Sequence, residues 1–537
     1  DAQLREMRLI TTVSAAFVLA LLSGSNAYKL LVFNPSFSQS INNFLGNIAD
    51  TLVDAGHDVT SLIPIVNPSL RDGSHKSEKI YVQSTDEVTR ITESMNFDDA
   101  DFFYYNDFDP ITSIPFGRGF CHWFNSQCKG VLDERGLVEK LKNEKFDVMI
   151  VESFDACGIA LSHLIKVKSL ITTAGSVPMG PQGEEMGLEP VLSYNPNALI
   201  SHIDVHSMLS RFWNIYADLV FKLTWYTSRT EIDALFRERF GNEYPAVKEI
   251  ASDAAFSFIN SELLIDFATP MLSRVILIGG IGAKEPRKLD KELDRIVSLR
   301  NKTVLISFGS IVTSHTLPIE VKDSIVKTVS QFPEVTFLWK YEKPDDEFAK
   351  AALSSTPNLQ ILLWTPQNDL LADERLTAFI THGGMASTQE TALRGKPGLF
   401  IPFIGDQPRN SGMMEKNGVG KVYSKYDLSD SKKLIAAVKD LLENESYREN
   451  AVRIAAMIRK KPFSAREQLV KTVEFAAQFG PSSALRPKIF DMTWIEFHNA
   501  DLICVFILVI LVSLDLAFYA IRVCLRRFIA VFKVKNE

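Results

Sequence analysis

Phe379-Ile380-Thr381-His382-Gly383-Gly384-Met385-Ala386-Ser387-Thr388-Gln389-Glu390 runs from an apolar stretch, through two glycines, into a helix-forming stretch. The apolar residues before His382 suit a buried strand, and the run after Gly384 suits a helix. A strand delivered straight into a helix is the repeating unit of a parallel sheet with helices on both faces. Gly383 and Gly384 let backbone N–H groups approach a ligand closely. The helix start presents unpaired N–H donors and the positive end of its dipole to an anion. Thr381, His382 and Ser387 add side-chain donors, so the group suits a diphosphate. Glu390 follows His382 by eight residues, about two helical turns, where a carboxylate can accept from both ribose hydroxyls.

The flanks add the rest of a nucleotide-sugar site. Trp364-Thr365-Pro366-Gln367 lies after the preceding apolar run. An indole face can stack on uracil, and an amide can pair with nucleoside polar groups. After the helix, Gly395-Lys396-Pro397-Gly398 reads as a turn and Leu399 to Pro402 as a strand, ending in Gly405-Asp406-Gln407. A carboxylate and an amide at a strand exit suit sugar hydroxyls.

The same alternation extends in both directions. Thr303–Phe308, Val335–Trp339, Leu359–Leu363, Ala378–Ile380 and Gly398–Ile401 form one series of strand signals. Lys29–Phe33, His57–Ile63, Phe146–Val151 and Ser169–Thr172 form an earlier one, with a helix over Asn42–Ala55 stopped by Gly56. We therefore expect an α/β chain of two doubly wound domains with the ligand in the cleft at the strands' carboxyl ends. The expected divisions are 28–283 and 301–490, with the charged stretch 284–300 as the linker. Ile200–Tyr226 is rich in large apolar groups and reads as helices that cover an acceptor pocket, lie against a membrane or form a core pair.

The chain of 537 residues carries a formal net charge of −7, which argues against nucleic acid as a partner. Arg5 and Arg8 precede an apolar run from Leu9 to Leu22, then Ser25-Asn26-Ala27. This reads as a signal peptide over 1–27, with a retained signal anchor as the alternative. Leu502 to Ile521 is twenty residues with one charge, enough to cross a hydrocarbon core of roughly 30 Å. The basic residues over 522–537 place that tail in the cytosol, so the body is expected to be lumenal, in a single-pass type I membrane protein. Lys533 and Lys535 near the end are similar to an endoplasmic-reticulum retrieval signal.

Five cysteines are few for a secreted chain. Cys121 and Cys128 are close enough in sequence to bridge, leaving Cys157 over, and free buried thiols are the equal alternative. Asn301 and Asn444 begin glycosylation sequons. His202 and His206 have a metal-binding spacing but no third ligand group, so a solvated helix face is the simpler reading.

The run from Trp364 to Gly420 closely resembles the signature of the UDP-glucuronosyltransferase family within the UDP-glycosyltransferases. Gly56-His57, Gly279-Gly280, Phe308-Gly309-Ser310, Trp339-Lys340 and the C-terminal anchor extend the resemblance over nearly the whole chain, and the N-terminal half looks most like nematode members. The resemblance implies a GT-B arrangement of two Rossmann-like domains and a metal-independent, inverting transfer of glucuronate or glucose from a UDP-sugar co-substrate to a small lipophilic acceptor, with no other cofactor. By position it implies that Trp364 stacks on uracil, Gln367 contacts the nucleoside and Glu390 holds ribose. Ser310, Thr381, His382 and Ser387 would hold the diphosphate beside Gly383 and Gly384, and Asp406 with Gln407 the sugar. Ala386 stands where an Asn is common.

In the family, a His sixteen residues before the Gly-His histidine takes the acceptor's proton, and an acidic residue orients it. Counted from His57, that place holds Ile41, while Glu152 matches the acidic partner. Three readings follow: an enzyme for amines or acidic phenols, an enzyme in which Glu152 is a weaker base, or a UDP-sugar-binding protein that assembles with active relatives. Lys340 is a candidate to meet a donor's charge.

Overall fold

Lys29-Leu30-Leu31-Val32-Phe33 is apolar on both alternating sides, as a strand inside a parallel sheet requires. A computed structural model describes residues 27–95 and 102–535. The leader read over residues 1–27 lies, but for Ala27, outside the described residues. Two parallel sheets dominate the body.

The first sheet has seven strands: β1 (Lys29–Phe33), β2 (Asp58–Pro64), β3 (Glu78–Val82), β4 (Val148–Glu152), β5 (Ser169–Ala174), β6 (Phe256–Ile259) and β7 (Val275–Leu277). Their spatial order is β3-β2-β1-β4-β5-β6-β7. The second has six: β8 (Lys302–Ser307), β9 (Val335–Lys340), β10 (Leu359–Leu362), β11 (Leu376–Thr381), β12 (Gly398–Phe400) and β13 (Gly420–Val422), ordered β10-β9-β8-β11-β12-β13. In each sheet the chain starts inside, moves to one edge, then crosses back. The order reverses between β1 and β4, and again between β8 and β11. Doubly wound sheets bind ligands outside the carboxyl ends of their strands at such reversals.

Strand alternation sends the apolar residues to two covers. Leu30, Val32 and Ile150 pack on Phe44, Leu45 and Ile48 of the helix Gln39–Asp54. Leu31, Phe33, Met149 and Val151 pack on the helix Ala156–Leu164. In the second sheet Val304, Ile306 and Trp339 face one core, and Leu305, Leu338 and Phe379 the other. The charged stretch 284–300 contains the helix Lys291–Val297, whose Ile296 and Val297 join that last core. The helix Ala465–Phe479 follows the second sheet in sequence, yet its Leu469, Val473, Ala476 and Ala477 are buried with Leu30 and Ile150 of the first.

Polar contacts also join the halves. Gln389 donates to Asn260 O at 2.7 Å and accepts from Gly280 N at 2.7 Å. Arg409 pairs with Asp266 at 2.8 Å and donates to Pro196 O at 3.0 Å.

Three expectations are corrected. The disulfide joins Cys128 to Cys157, with Cα atoms 5.7 Å apart, and Cys121 is a buried free thiol. Cys121 and Cys128 lie on one helix, Pro110–Asp133. Seven residues of rise separate them by about 10 Å, beyond disulfide reach. The Ile200–Tyr226 region holds one long helix, Met208–Phe240, rather than several. Its Met208, Leu209, Phe212, Leu219 and Leu223 are half or more exposed. His202 and His206 sit on the exposed segment before that helix, not on a helical face.

Residues 486–537 form a separate unit. Its helix Ala500–Lys535 contains a 31-residue span, Ala500–Ala530, with mean hydropathy 2.7, long and apolar enough to cross a membrane.

Candidate active site

In the second half, each sequence-predicted residue follows the carboxyl end of a strand or rides the helix that leaves it. Ser310 follows β8, Trp364 follows β10, His382 to Gly384 follow β11, and Asp406 with Gln407 follow β12. Gly384 caps the start of the helix Met385–Arg394, which carries Ser387 and Glu390. Gly383 has φ +78°, and a Cβ there would meet the Ser411 hydroxyl and lie 3.2 Å from Gln407 O. Only glycine fits that turn without strain.

The side chains converge. Gln367 Nε2 donates to Ser387 Oγ at 3.1 Å and to Glu390 Oε2 at 2.7 Å. The reversal between β8 and β11 brings His382 against Gly309, where a Cβ would lie 2.6 Å from the His382 Cε1. Thr381 Oγ1 and His382 Nδ1 are 3.4 Å apart. Burial, with Lys340 nearby, lowers the His382 pKa to about 4. Its imidazole is therefore neutral at physiological pH and can still donate one N–H. Burial likewise raises the Glu390 carboxyl. Trp364 is 62% exposed, with the Arg71 guanidinium and the Lys340 ammonium each 5.9 Å from its ring. An open indole, a neutral imidazole donor and a helix start are groups that can hold a nucleoside diphosphate.

Lys340 is committed. It donates to Gly309 O at 2.7 Å and to Glu342 at 2.8 Å, so it braces the loop that carries Ser310. Asp406 is half-buried and accepts from Asn410 at 2.7 Å. Gln407 is buried, and its Oε1 accepts from Phe403 N at 2.8 Å and Ile404 N at 3.2 Å, shaping the turn before Asp406. Ala386 is exposed, and so are Asn301 and Asn444.

The first half presents Glu152 at the end of β4 and Ile41 on the helix after β1. This is the other reversal point. Both side chains reach Gly175, just beyond β5. A Cβ on Gly175 would collide with Ile41 Cδ1 and lie 3.5 Å from Glu152 Oε2. Glu152 accepts from Thr173 Oγ1 at 3.1 Å, Gln182 Nε2 at 3.2 Å and Phe154 N at 3.3 Å. Burial outweighs these donors and pushes its carboxyl up to about 8. Buried Arg229 holds the loop after β4, donating to Ser153 O at 2.6 Å and Glu185 at 2.7 Å.

An aromatic wall stands beside this pair. Phe37 stacks on Phe154 at 5.8 Å, Phe154 meets Trp225 at 4.3 Å, and Phe120 meets Trp225 at 5.8 Å. Ile41, Phe120, Phe154 and Trp225 are all partly exposed. The Trp225 indole nitrogen is buried without a hydrogen-bond partner. The sequence reading missed this wall. Its members come from four distant stretches, and none sits in a local motif.

The model of the family described as UDP-glucoronosyl and UDP-glucosyl transferase matches residues 28–536. The chain belongs to this family. It is 28% identical over 507 residues to a Caenorhabditis elegans protein named as a UDP-glucuronosyltransferase, ugt-48, covering 90% of this chain and 93% of that one. It is 27% identical to human UDP-glucuronosyltransferase 1A10, covering 89% of each. Among solved structures, a Polygonum tinctorium UDP-glucosyltransferase described as capable of glucosylating indoxyl superposes with TM-score 0.57 at 15% identity. That match covers 84% of this chain and all of that one. The fold is the GT-B arrangement, and the transferase uses a UDP-sugar donor. Its C-terminal apolar helix fits a membrane anchor.

Proposed function

We propose that this transferase passes a hexose or hexuronate from UDP to a flat, lipophilic acceptor whose nucleophile is a neutral amine. The observation that carries this reading is Ile41 beside Glu152. An isoleucine cannot take a proton. Glu152, held up to about 8 by burial, carries its own proton at neutral pH and is not a ready base there. An arylamine is uncharged at that pH and attacks through its lone pair without prior deprotonation.

In this reading Trp364 stacks on uracil, Glu390 and Gln367 hold the nucleoside, and Ser310, Thr381, His382, Ser387 and the turn at Gly383 and Gly384 hold the diphosphate. Asp406 and the turn shaped by Gln407 receive the sugar. The amine nitrogen bonds to the anomeric carbon on the face opposite UDP, which inverts that carbon. The bond from the anomeric carbon to the phosphate oxygen breaks, and its electron pair leaves with UDP. The helix dipole and His382 stabilise the departing charge. The surplus N–H proton is lost to water after bond formation. The aromatic wall from Phe37 to Trp225 supports a flat acceptor.

The body faces the endoplasmic-reticulum lumen in this account, with exposed Asn301 and Asn444 open to glycosylation and a single C-terminal helix in the membrane. The test is direct. The full chain in detergent is supplied with UDP-glucose or UDP-glucuronate and a chlorinated aniline, and the products are read by mass. We expect the N-linked conjugate and stoichiometric UDP. Measured UDP binding without any conjugate from either donor would contradict the proposal.

A further inference from the structure

The loop between β2 and β3 leaves the carboxyl end of β2 and lies against the helix Gln39–Asp54. Gln39 grips it first: its Oε1 accepts from Arg71 N at 3.0 Å, and its Nε2 donates to Arg71 O at 3.1 Å. Asp50 holds the far side, accepting from Ser74 Oγ at 2.6 Å and from Lys76 N at 3.0 Å. Between these clamps Gly46 packs on Gly73, and a Cβ on either would collide with backbone. The backbone of Arg71 is therefore fixed through both its polar groups, while its side chain is exposed.

That side chain crosses to the second half. The Arg71 guanidinium lies over the Trp364 ring, 5.9 Å from its centroid. Among the described residues, no carboxylate or carbonyl accepts from this guanidinium. The adjacent Asp72 is engaged by Tyr81 at 2.6 Å and Lys79 at 3.1 Å. Lys340, the other cation at the ring, is committed to Gly309 O and Glu342. Arg71 thus brings a flat cation with unused N–H groups to an exposed indole. Indole and guanidinium planes both stack on nucleic-acid bases. A flat ring held between two flat groups needs about 7 Å, from two contacts of about 3.5 Å each, so about 1 Å of movement by an exposed side chain admits it.

We propose that Arg71 is a donor-binding residue contributed by the first half, and that it covers the uracil carried by Trp364, so that the base lies between guanidinium and indole. This rests on the reading that uracil stacks on Trp364. The measured approach is to the ring that carries the base, so the base and not the diphosphate is the assigned partner.

The test measures dissociation constants of UDP and of uridine for the full chain in detergent, for wild type, Arg71→Ala, Arg71→Lys and Trp364→Ala. Arg71→Ala is expected to weaken UDP and uridine alike, by about five- to twentyfold. Arg71→Lys, which keeps the charge and loses the plane, should lose nearly as much. Because the clamps act on the backbone, both Arg71 variants keep the loop in place. Unchanged UDP affinity in Arg71→Ala would overturn the proposal. So would tighter UDP binding, which would make the guanidinium a competitor for the ring. A loss for UDP but not for uridine, restored by Arg71→Lys, would assign Arg71 to the diphosphate and overturn it as well. Unchanged UDP affinity in Trp364→Ala would instead overturn the stacking reading beneath it.

Discussion

Glu152 is surrounded by hydrogen-bond donors yet keeps its proton. Thr173, Gln182 and the Phe154 amide all favour the carboxylate, but complete burial costs more. Because Glu152 binds its proton more tightly folded than unfolded, the folded state holds an extra proton between the ordinary carboxylate range and about pH 8. Stability contributed by this group is therefore full at low pH and falls as pH rises through that window. Glu152→Gln removes the titration and keeps an amide that can still accept. We expect its unfolding free energy to decline less between pH 5 and pH 8 than that of wild type, by up to about 4 kcal/mol. Parallel denaturant titrations at both pH values check this, and equal slopes would contradict it. The placement of Ile41 and Glu152 was half legible in the sequence. Counting from His57 reaches Ile41, and the side chains of Ile41 and Glu152 both lie against Gly175. The proton on Glu152 was not legible, because burial depends on strands and loops far away in sequence.

In the proposed function, donor binding depends on the junction from β11 through Gly383 into the helix Met385–Arg394. Its positive φ and its approach to Ser411 and Gln407 make the turn intolerant of any side chain. Gly383→Ala should cost about 1–3 kcal/mol of stability and weaken UDP binding at least tenfold, since the backbone N–H groups shift from their aim. Calorimetric titration with UDP together with thermal unfolding measures both. Unchanged UDP affinity would remove the turn from the site. This element was the most readable in the chain: apolar strand, paired glycines and helix formers are local signals. The elements that misread had non-local causes. Cys128 pairs with Cys157 because two packed helices bring them together. The helix Met208–Phe240 runs on because tertiary packing against the helix Pro110–Asp133 supports it.

At the scale of the molecule, the strand order reverses once in each sheet, and one helix ties the halves together. Ile41 and Glu152 stand at the first reversal, and Ser310 and His382 at the second. The helix Ala465–Phe479 leaves the second half and completes the core of the first. Leu469→Ala should therefore cost about 2–5 kcal/mol, and both halves should unfold in one transition. Separate transitions by fluorescence and circular dichroism would contradict that coupling. This return was hidden in the sequence, where the amphipathic pattern around Leu469 names no partner. The central claim is that the cleft transfers a sugar without a histidine base. The measurement is the initial rate with a matched arylamine and alcohol, at pH 7, for wild type and Ile41→His. The account predicts that wild type conjugates the arylamine at least about 10²-fold faster than the alcohol, and that Ile41→His raises the alcohol rate at least about tenfold. Equal wild-type rates on the two acceptors, with no gain in Ile41→His, would contradict it.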